Sequence, residues 1–141
     1  MRTPLHVALI GSSSLHRKRS RDAFQAIGLS DGQPKVLAHL LREEGLLQRE
    51  LATLCMVEPA TMTVLLRKMA ADELIWKESV RVQGKRAYRV YLTDKGRSQG
   101  KKAWQIVEKL EDDSFRGFSE EEKDQLVSLL LRVFENLRDM K

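Results

Sequence analysis

The residues whose chemistry points most directly to a binding partner lie in the segment 58–72. Apolar residues recur there at positions i, i+3, i+4 and i+7, a spacing that gathers them on one face of a helix. They are Met62, Leu65, Leu66 and Met69. Pro59 suits the first position of such a helix, where a missing N–H has no cost. The opposite face is small, hydroxylated and basic, and its candidate residues are Ala60, Thr61, Thr63, Val64, Arg67 and Lys68.

This outward face has the groups that a DNA-reading helix uses. Small side chains let the backbone approach a groove, hydroxyl and guanidinium groups bond to phosphates or base edges, and Val64 can touch a thymine methyl group. We therefore predict that the segment is a DNA recognition helix. An ordinary amphipathic surface helix is the alternative, and the segment alone would favour it. The neighbouring elements shift the balance towards DNA.

Composition limits the class of protein. The chain has 141 residues, of which 42% are hydrophobic and 32% are charged, so a compact domain fits better than a disordered or membrane-embedded chain. No apolar run approaches the roughly 20 residues that span a bilayer, and no convincing leader cleavage site is present, so we expect a cytoplasmic protein. The net charge of +5 favours a polyanionic partner.

Catalytic and metal chemistry are not indicated by the residue types. The single cysteine excludes an internal disulfide framework, and three scattered histidines do not give a metal-binding spacing. No nucleophile is paired with a base, and no glycine-rich phosphate loop occurs in the sequence. We expect neither an enzyme nor a cofactor.

A first helix is predicted over residues 4–27. Gly11 and the serines that follow it weaken its middle, so it begins either at residue 4 or near Leu15. The residues that keep helical spacing are Leu5, Leu9, Leu15, Ala23, Phe24 and Ile27. Gly28 suits the C-terminal stop. The basic run 16–21 is either a phosphate contact or a solvated face, and a solvated face is the commoner role of a charge run.

Two further helices precede the segment 58–72. One is predicted over residues 33–43, with Pro34 in its first turn, and a short one over residues 48–54. The short helix is expected to turn Leu51, Leu54 and Cys55 inward. A short helix, a tight turn and a second helix with a polar outer face form a helix-turn-helix.

A β-hairpin is predicted directly after the recognition helix. The segments 74–80 and 87–92 are rich in strand formers, and a turn centred on Gly84 separates them. Its basic residues are Lys77, Arg81, Lys85, Arg86 and Arg89. A basic hairpin in this position is a wing, which can follow phosphates or enter a narrow minor groove. A hairpin that is merely made soluble by its charges is the alternative, but it does not explain why acids are nearly absent.

Two helices are predicted after the hairpin. Thr93 can cap a long helix that runs to about Phe115, and Ser119 with Glu122 forms a capping box for the last helix. The long helix is expected to turn Ala103, Trp104, Val107, Leu110 and Phe115 inward. Apolar residues cover more than half of the last helix, whereas one core needs a stripe of only about 100°. A symmetry-related second copy would cover the surplus, and a monomer that wraps this helix between its own elements is the alternative.

The chain resembles the MarR family of winged helix-turn-helix transcriptional regulators over nearly its whole length. The matching text is GLSDGQPKVLAHLLREEGLLQRELA at 28–52, VEPATMTVLLRKMAADELI at 57–75 and GKRAYRVYLTDKG at 84–96, of which LTDKG is the most specific piece. The resemblance implies a mainly α fold with a small β-wing (α+β). It also implies a winged helix-turn-helix DNA-binding region at 30–92 and a helical dimerisation region formed by 1–29 and 93–141.

Some positions depart from the pattern of that family. Gly84 stands where the wing usually has an acid that helps to position its arginine, here Arg86. Glu73 replaces the usual glycine after the recognition helix. Leu46 and Leu47 replace the serine or threonine that normally caps the third helix, which is expected to remove about 1 kcal/mol of capping.

The resemblance implies a dimeric, ligand-responsive repressor that binds a pseudo-palindromic double-stranded operator. The predicted DNA contacts are the outward residues of the recognition helix together with Arg81, Lys85 and Arg86 of the wing. A small aromatic or phenolic effector is implied as well, and His16, His39 and Trp104 are the candidates for its pocket. Core packing explains His39 and Trp104 at least as well.

Two other functions remain open at this point. One is a winged-helix protein-interaction module that no longer binds DNA, which the basic wing argues against. The other is redox sensing through Cys55. Sensor cysteines are exposed and have a lowered pKa, whereas Cys55 ends a short helix with apolar neighbours on both sides, so a structural thiol is favoured.

Overall fold

The computed structural model describes residues 3–141 and contains helices with one small sheet. The chain divides into two compact units, of which the first ends at Val107 and the second is Glu108–Lys141. In chain order the elements are α1 (Ser12–Ala26, preceded by a π-helical segment His6–Gly11), α2 (Gln33–Arg42), β1 (Leu46–Leu47), α3 (Gln48–Leu54), α4 (Pro59–Ala71), β2 (Ile75–Val82), β3 (Lys85–Leu92), α5 (Asp94–Ser114) and α6 (Glu120–Arg138).

The first helix is continuous through the predicted weak point. Gly11 has helical angles (φ −61°, ψ −47°), and the widened turns of the π-helical segment join α1 directly. Of the residues that keep helical spacing, Phe24 and Ile27 pack against the core, whereas Leu5 and Leu15 are exposed within this chain. The helix ends at Gly28, which has φ +81°. The amides of Gly28 and Leu29 bond back to Gln25 and Phe24, a pattern that satisfies the last carbonyls.

The helix-turn-helix supplies most of the core. Its three helices bury apolar residues that include Val36, Leu37, Leu40, Leu51, Met62, Leu66 and Met69. The apolar stripe predicted for α4 is confirmed, with Leu65 half-buried beside the three buried residues. Leu54 was predicted to point inward and is instead 47% exposed, because the short helix α3 can turn only Leu51, Ala52 and the following Cys55 towards the core.

The two strands of the wing are longer, and the turn between them is shorter, than the sequence predicts. β2 and β3 pair antiparallel from Ile75 opposite Leu92 to Val82 opposite Lys85. The two turn residues Gln83 and Gly84 both have positive φ (52° and 78°), as the primed two-residue turns of hairpins require. A third strand, β1, was not predicted. Its two residues pair with the inner end of β3, which gives the sheet order β1-β3-β2.

The N-terminus of α3 has one of the two hydrogen bonds of a capping box. Leu47 is the N-cap residue and has no side-chain oxygen to offer, as expected. Glu50 Oε1 accepts a hydrogen bond from the Leu47 amide at 3.2 Å, which satisfies one of the free donors. The Leu47 side chain is buried, so this position contributes packing where the family pattern has a hydroxyl.

The LTDKG segment joins the wing, the end of α4 and the start of α5. Thr93 Oγ1 accepts from the Gly96 amide at 2.9 Å and donates to the Glu73 carbonyl at 2.6 Å, so the predicted cap is confirmed. Lys95 Nζ donates to the Asp72 carbonyl at 2.9 Å. A Cβ on Gly96 would lie 1.9 Å from the carbonyl oxygen of Leu74, so only glycine fits there.

Glu44 connects the loop before β1 to the end of β3 and the start of α5. Its Oε1 accepts from the Leu92 amide at 2.9 Å, and its Oε2 pairs with the Arg97 guanidinium. The Leu92 hydrogen bond, together with Arg97, keeps the pKa of Glu44 below its usual value against the opposing effect of partial burial. This carboxylate therefore contributes to stability in its charged form.

The last two helices bury little of their apolar surface. On α5, Ala103 is buried, but Trp104 and Val107 are exposed, so their predicted inward orientation is wrong within this chain. Leu110 and Phe115 are half-buried. The predicted capping box of α6 is confirmed by the reciprocal bonds of Ser119 and Glu122 at 2.9 and 3.1 Å. No residue of α6 is buried.

None of the helices within residues 3–141 is both long enough and apolar enough to cross a membrane.

Candidate nucleic-acid interface

The outer face of α4 is available to a partner along its whole length. Ala60, Thr61, Val64, Arg67 and Lys68 are all exposed, and Thr63 is half-buried. Lys68 makes an ion pair with Asp72 at 3.7 Å, but both side chains are largely in water, where such pairs contribute little. Val64 is 64% exposed, which places an apolar group among the polar ones.

The tip of the wing concentrates positive charge. Arg81, Lys85 and Arg86 are exposed, and Arg81 lies directly opposite Arg86 in the register of the hairpin. Like charges that face each other across two strands are destabilising. Arg81 Nη1 donates to the carbonyl of Gly84 at 3.0 Å, so the residue that replaces the usual acid still positions one arginine through its backbone. Within residues 3–141, no carboxylate lies within 4.0 Å of either guanidinium.

Two of the basic wing residues are used within the fold. Arg89 Nη1 donates to the carbonyl of Gly45 at 2.8 Å, which ties β3 to the loop before β1. Lys77 Nζ lies 5.1 Å from the centre of the Tyr88 ring, a cation–π contact. Arg89 and Lys77 were not among the predicted DNA contacts, and both of them make contacts within this chain.

A small groove, here called the notch, joins the recognition helix to the wing. It has a volume of about 240 Å³. It is lined by residues 47–49, by Pro59 and Thr63 of α4, and by residues 86–88 of β3. Thr63 and Arg86, which were predicted from separate segments, line the same groove. Arg49 lines it as well and was missed, because one exposed arginine in a short helix gave no signal in the sequence.

Gln48 and Thr63 form the hydrogen-bonded wall of the notch. Gln48 Nε2 donates to Thr63 Oγ1 at 2.9 Å, and Thr63 Oγ1 donates to the Pro59 carbonyl at 3.1 Å. A hydroxyl has one hydrogen to donate, so that of Thr63 is already used. Gln48 Oε1 is buried and has no hydrogen-bond partner among the described residues.

Cys55 lies at the edge of a second groove beside the outer face of α4. This groove, of about 750 Å³, also has Lys35, Ala60, Thr61 and Val64 in its lining. The thiol itself is buried, and burial raises its pKa despite the opposing charge of Lys35. A thiol with a raised pKa is mostly protonated at neutral pH and is a poor redox sensor.

The three effector candidates do not line one cavity. His16 contributes to a cavity of about 510 Å³ between α1 and the start of α2, together with Arg17, Arg21, Phe24 and Lys35. His39 is half-buried on α2, and Trp104 is exposed on α5. Neither lines the cavity that contains His16. Residues 3–141 contain no cluster of three or more histidine, cysteine, aspartate or glutamate side chains suited to a metal ion.

Comparisons with known proteins locate this fold among transcriptional regulators. A MarR-family transcriptional regulator from Silicibacter pomeroyi is 26% identical, with 99% of each chain covered and a TM-score of 0.73. The transcriptional regulator PA3341 is 28% identical over 96% of this chain and 99% of that one, with a TM-score of 0.79. S. aureus MepR, solved in complex with DNA, is 22% identical over 97% and 99% of the two chains, with a TM-score of 0.80. No protein-family model and no curated protein matches the sequence.

Proposed function

We propose that this chain is a MarR-family winged-helix regulator, and that it acts as a dimeric, ligand-responsive repressor that binds a pseudo-palindromic double-stranded DNA operator. The observation that carries the proposal is the notch, which unites the first turn of α4, the start of α3 and Arg86 of the wing in one groove. A recognition helix and a wing that share a surface can engage one duplex together.

The charge distribution supports an anionic partner. Arg81 and Arg86 face each other at the wing tip without a nearby carboxylate among the described residues. Their mutual repulsion is relieved when phosphates lie beside them, or when an arginine enters the negative potential of a narrow minor groove. The DNA complex of S. aureus MepR, which has the same fold, supports double-stranded DNA as this partner.

The exposed apolar surface supports a dimer. Helix α6 has eight large apolar residues in solvent, and at 100° per residue they span an arc of about 200°. They are Leu126, Val127, Leu129, Leu130, Leu131, Val133, Phe134 and Leu137. A water-exposed face of this size is unfavourable for an isolated chain. A second copy that covers it would also place two recognition helices for successive major grooves, about 34 Å apart.

The cavity lined by His16 is the best location for an aromatic or phenolic effector. Its lining combines the aromatic Phe24 with three positive charges and one negative charge, so it suits an aromatic group with an acidic substituent. The charged residues are Arg17, Arg21, Lys35 and Asp31. His39 and Trp104 are then outside the pocket. Benzoate and hydroxybenzoates are suitable probes. We expect them to weaken DNA binding by the wild-type chain, and to do so less in a Phe24→Ala, Arg21→Ala double variant.

The proposal is tested by selecting genomic fragments on the full chain and measuring affinity against salt. The logarithm of the affinity should fall with the logarithm of the salt concentration by about 0.9 for each phosphate neutralised. Arg86→Ala should weaken all sequences alike, whereas Arg67→Ala should reduce the preference for the selected sequence over a random duplex. Arg116→Ala, outside the winged helix, is the control. Recovery of no enriched sequence, or a binding curve independent of salt, would favour a protein-interaction module instead.

A further inference from the structure

We propose that the notch binds a single phosphodiester of the DNA backbone, with Arg49 and Arg86 as its ligands and Gln48 as a positioning residue. The inference rests on the proposed function and deepens it. It adds Arg49 to the DNA-binding residues and changes the role of Thr63 from a contact to part of the supporting wall.

The side chains of the notch select an anion. Arg49, Arg86 and Tyr88 are among its lining residues, so its lining includes two positive charges. No acidic residue is in the lining, and within residues 3–141 neither arginine makes an ion pair. Guanidinium groups present paired N–H donors that match phosphate oxygens. The ligand should therefore accept hydrogen bonds and be negatively charged.

The size of the notch favours a phosphate over an organic ligand. Its volume of about 240 Å³ lies below the roughly 300–1,000 Å³ of pockets that enclose small organic molecules. A phosphodiester needs to insert only its two free oxygens. The notch also opens between α3, α4 and β3, where a DNA strand in contact with both the recognition helix and the wing would pass.

Thr63 cannot serve as a phosphate donor without losing a bond that it already makes. Its hydroxyl hydrogen is directed to the Pro59 carbonyl, and its oxygen accepts from Gln48 Nε2. Phosphate oxygens only accept hydrogen bonds, so Thr63 has nothing left to offer them. The Gln48–Thr63 bond instead fixes the start of α3 against the first turn of α4, and with it the position of Arg49.

Gln48 Oε1 is a hydrogen-bond acceptor that an arginine of the notch can use. A buried acceptor without a donor is destabilising, and Gln48 Oε1 is such an acceptor. A guanidinium group has five N–H donors. An arginine drawn inward by a phosphate can therefore bond to that phosphate and still donate to Gln48 Oε1.

The test compares Arg49→Ala with Arg116→Ala on a random-sequence duplex and on the selected duplex. A phosphate contact carries no base information, so Arg49→Ala should weaken binding to both duplexes by the same factor. The losses from Arg49→Ala and Arg86→Ala should be less than additive, because both arginines bind one group. The salt slope should fall by about 0.9 for each notch only when both arginines are removed. Replacing the bound phosphate with an uncharged methylphosphonate should weaken the wild type and cause no further loss in the double variant.

The role of Gln48 is tested by introducing a negative charge at its position. A purely structural role would respond alike to a charged and an uncharged replacement. Gln48→Glu should weaken DNA binding more than Gln48→Ala, because a carboxylate competes with the phosphate for the arginines. The difference should disappear as the pH approaches the ordinary carboxyl value of about 4.3. Strictly additive losses from Arg49→Ala and Arg86→Ala, or an Arg49→Ala variant that binds both duplexes as tightly as the wild type, would overturn the inference while leaving the proposed function intact. A wild-type chain that binds no DNA would overturn the proposed function itself.

Discussion

Glu44 is a single carboxylate that links three parts of the winged helix. It receives the amide of Leu92 at the end of β3 and pairs with Arg97 in the first turns of α5, while it lies in the loop between α2 and β1. Because both contacts favour the ionised form, its pKa is lowered in the folded chain relative to the unfolded chain. The stabilisation by Glu44 is therefore fully present above the unfolded pKa and is lost as the pH falls through the lower, folded value.

We expect Glu44→Gln to change the acid sensitivity of the fold. The amide can still accept from Leu92 but cannot pair with Arg97, so the variant should be less stable at neutral pH. The gap between wild type and variant should shrink as the pH falls below about 4.5, the reference value of the carboxyl group. Urea unfolding at a series of pH values measures this gap. Glu43→Gln removes a neighbouring charge without those contacts and should leave the neutral-pH midpoint near that of the wild type.

Gly96 gives a second prediction at the scale of one residue. Since a Cβ there would meet the Leu74 carbonyl oxygen at 1.9 Å, Gly96→Ala should lower the free energy of unfolding by about 3 kcal/mol, at the upper end for overpacking. Gly11→Ala is the matched control. Its Cβ would meet nothing within 4 Å in a helical backbone, so it should be neutral or stabilising. Equal thermal midpoints for the two variants would contradict the packing seen at Gly96.

At the scale of an element, the recognition helix is bounded by two strained residues. Met56, just before α4, has φ +56°, and Glu73, just after it, has φ +62°. Each follows a helix whose last carbonyls accept hydrogen bonds from the amides just beyond the helix. Glycine is the usual residue at such a position. The departure at Glu73 noted in the sequence therefore has a local cost, although the backbone keeps the same turn.

We expect Glu73→Gly to raise the free energy of unfolding by about 0.5–1 kcal/mol, because glycine adopts positive φ without the clash of a Cβ. The Glu73 side chain is exposed, so little packing is lost. Ala71→Gly, two residues earlier at the last residue of α4, should instead lower stability by a similar amount. The denaturant midpoints of the wild type and the two variants measure these differences in stability. A destabilised Glu73→Gly variant would mean that its side chain makes an important contact.

The order of helices and the hairpin were predictable from sequence, because each depends on local spacing. The stripe of α4, the cap at Thr93 and the capping box at Ser119 all follow from residues three or four positions apart. β1 was not predictable in this way. Its two leucines have no periodicity of their own and become a strand only by pairing with Arg89 and Val90.

The sequence could indicate which residues share one exposed helix face, but it could not indicate contacts between separate segments. Arg49 joins Arg86 in the notch only after α3 packs against β3, which no local pattern reveals. Arg89 looked like its basic neighbours until the fold brought it to the Gly45 carbonyl. Leu54 and Trp104 were assigned to a core because apolar residues usually are, but their helices turn them to solvent.

At the scale of the whole molecule, the proposed dimer depends on α6. Leu130 lies near the middle of its apolar arc, and Ser128, two residues earlier, lies on the opposite side by helical geometry. We expect Leu130→Glu to shift the chain from dimer to monomer and to weaken operator binding, because burying a charge in an apolar interface is costly. Ser128→Glu should do neither.

Sedimentation at several concentrations measures the first effect, and DNA titration measures the second. Circular dichroism tests whether both variants keep their helices. A wild-type chain that sediments as a monomer at micromolar concentration would contradict the dimer and leave the exposed leucines unexplained. A Leu130→Glu variant that remains a dimer would locate the interface elsewhere on the chain.

The contact of Gly96 with the Leu74 carbonyl also bears on how a signal could travel. Backbone pressed against backbone has no rotamers to absorb a displacement, so a tilt at the root of α5 must be transmitted directly to the residues that follow α4. The start of α5 is thus directly coupled to the segment that follows α4. A displacement of α5 at Gly96 would therefore move the backbone that follows α4 with it.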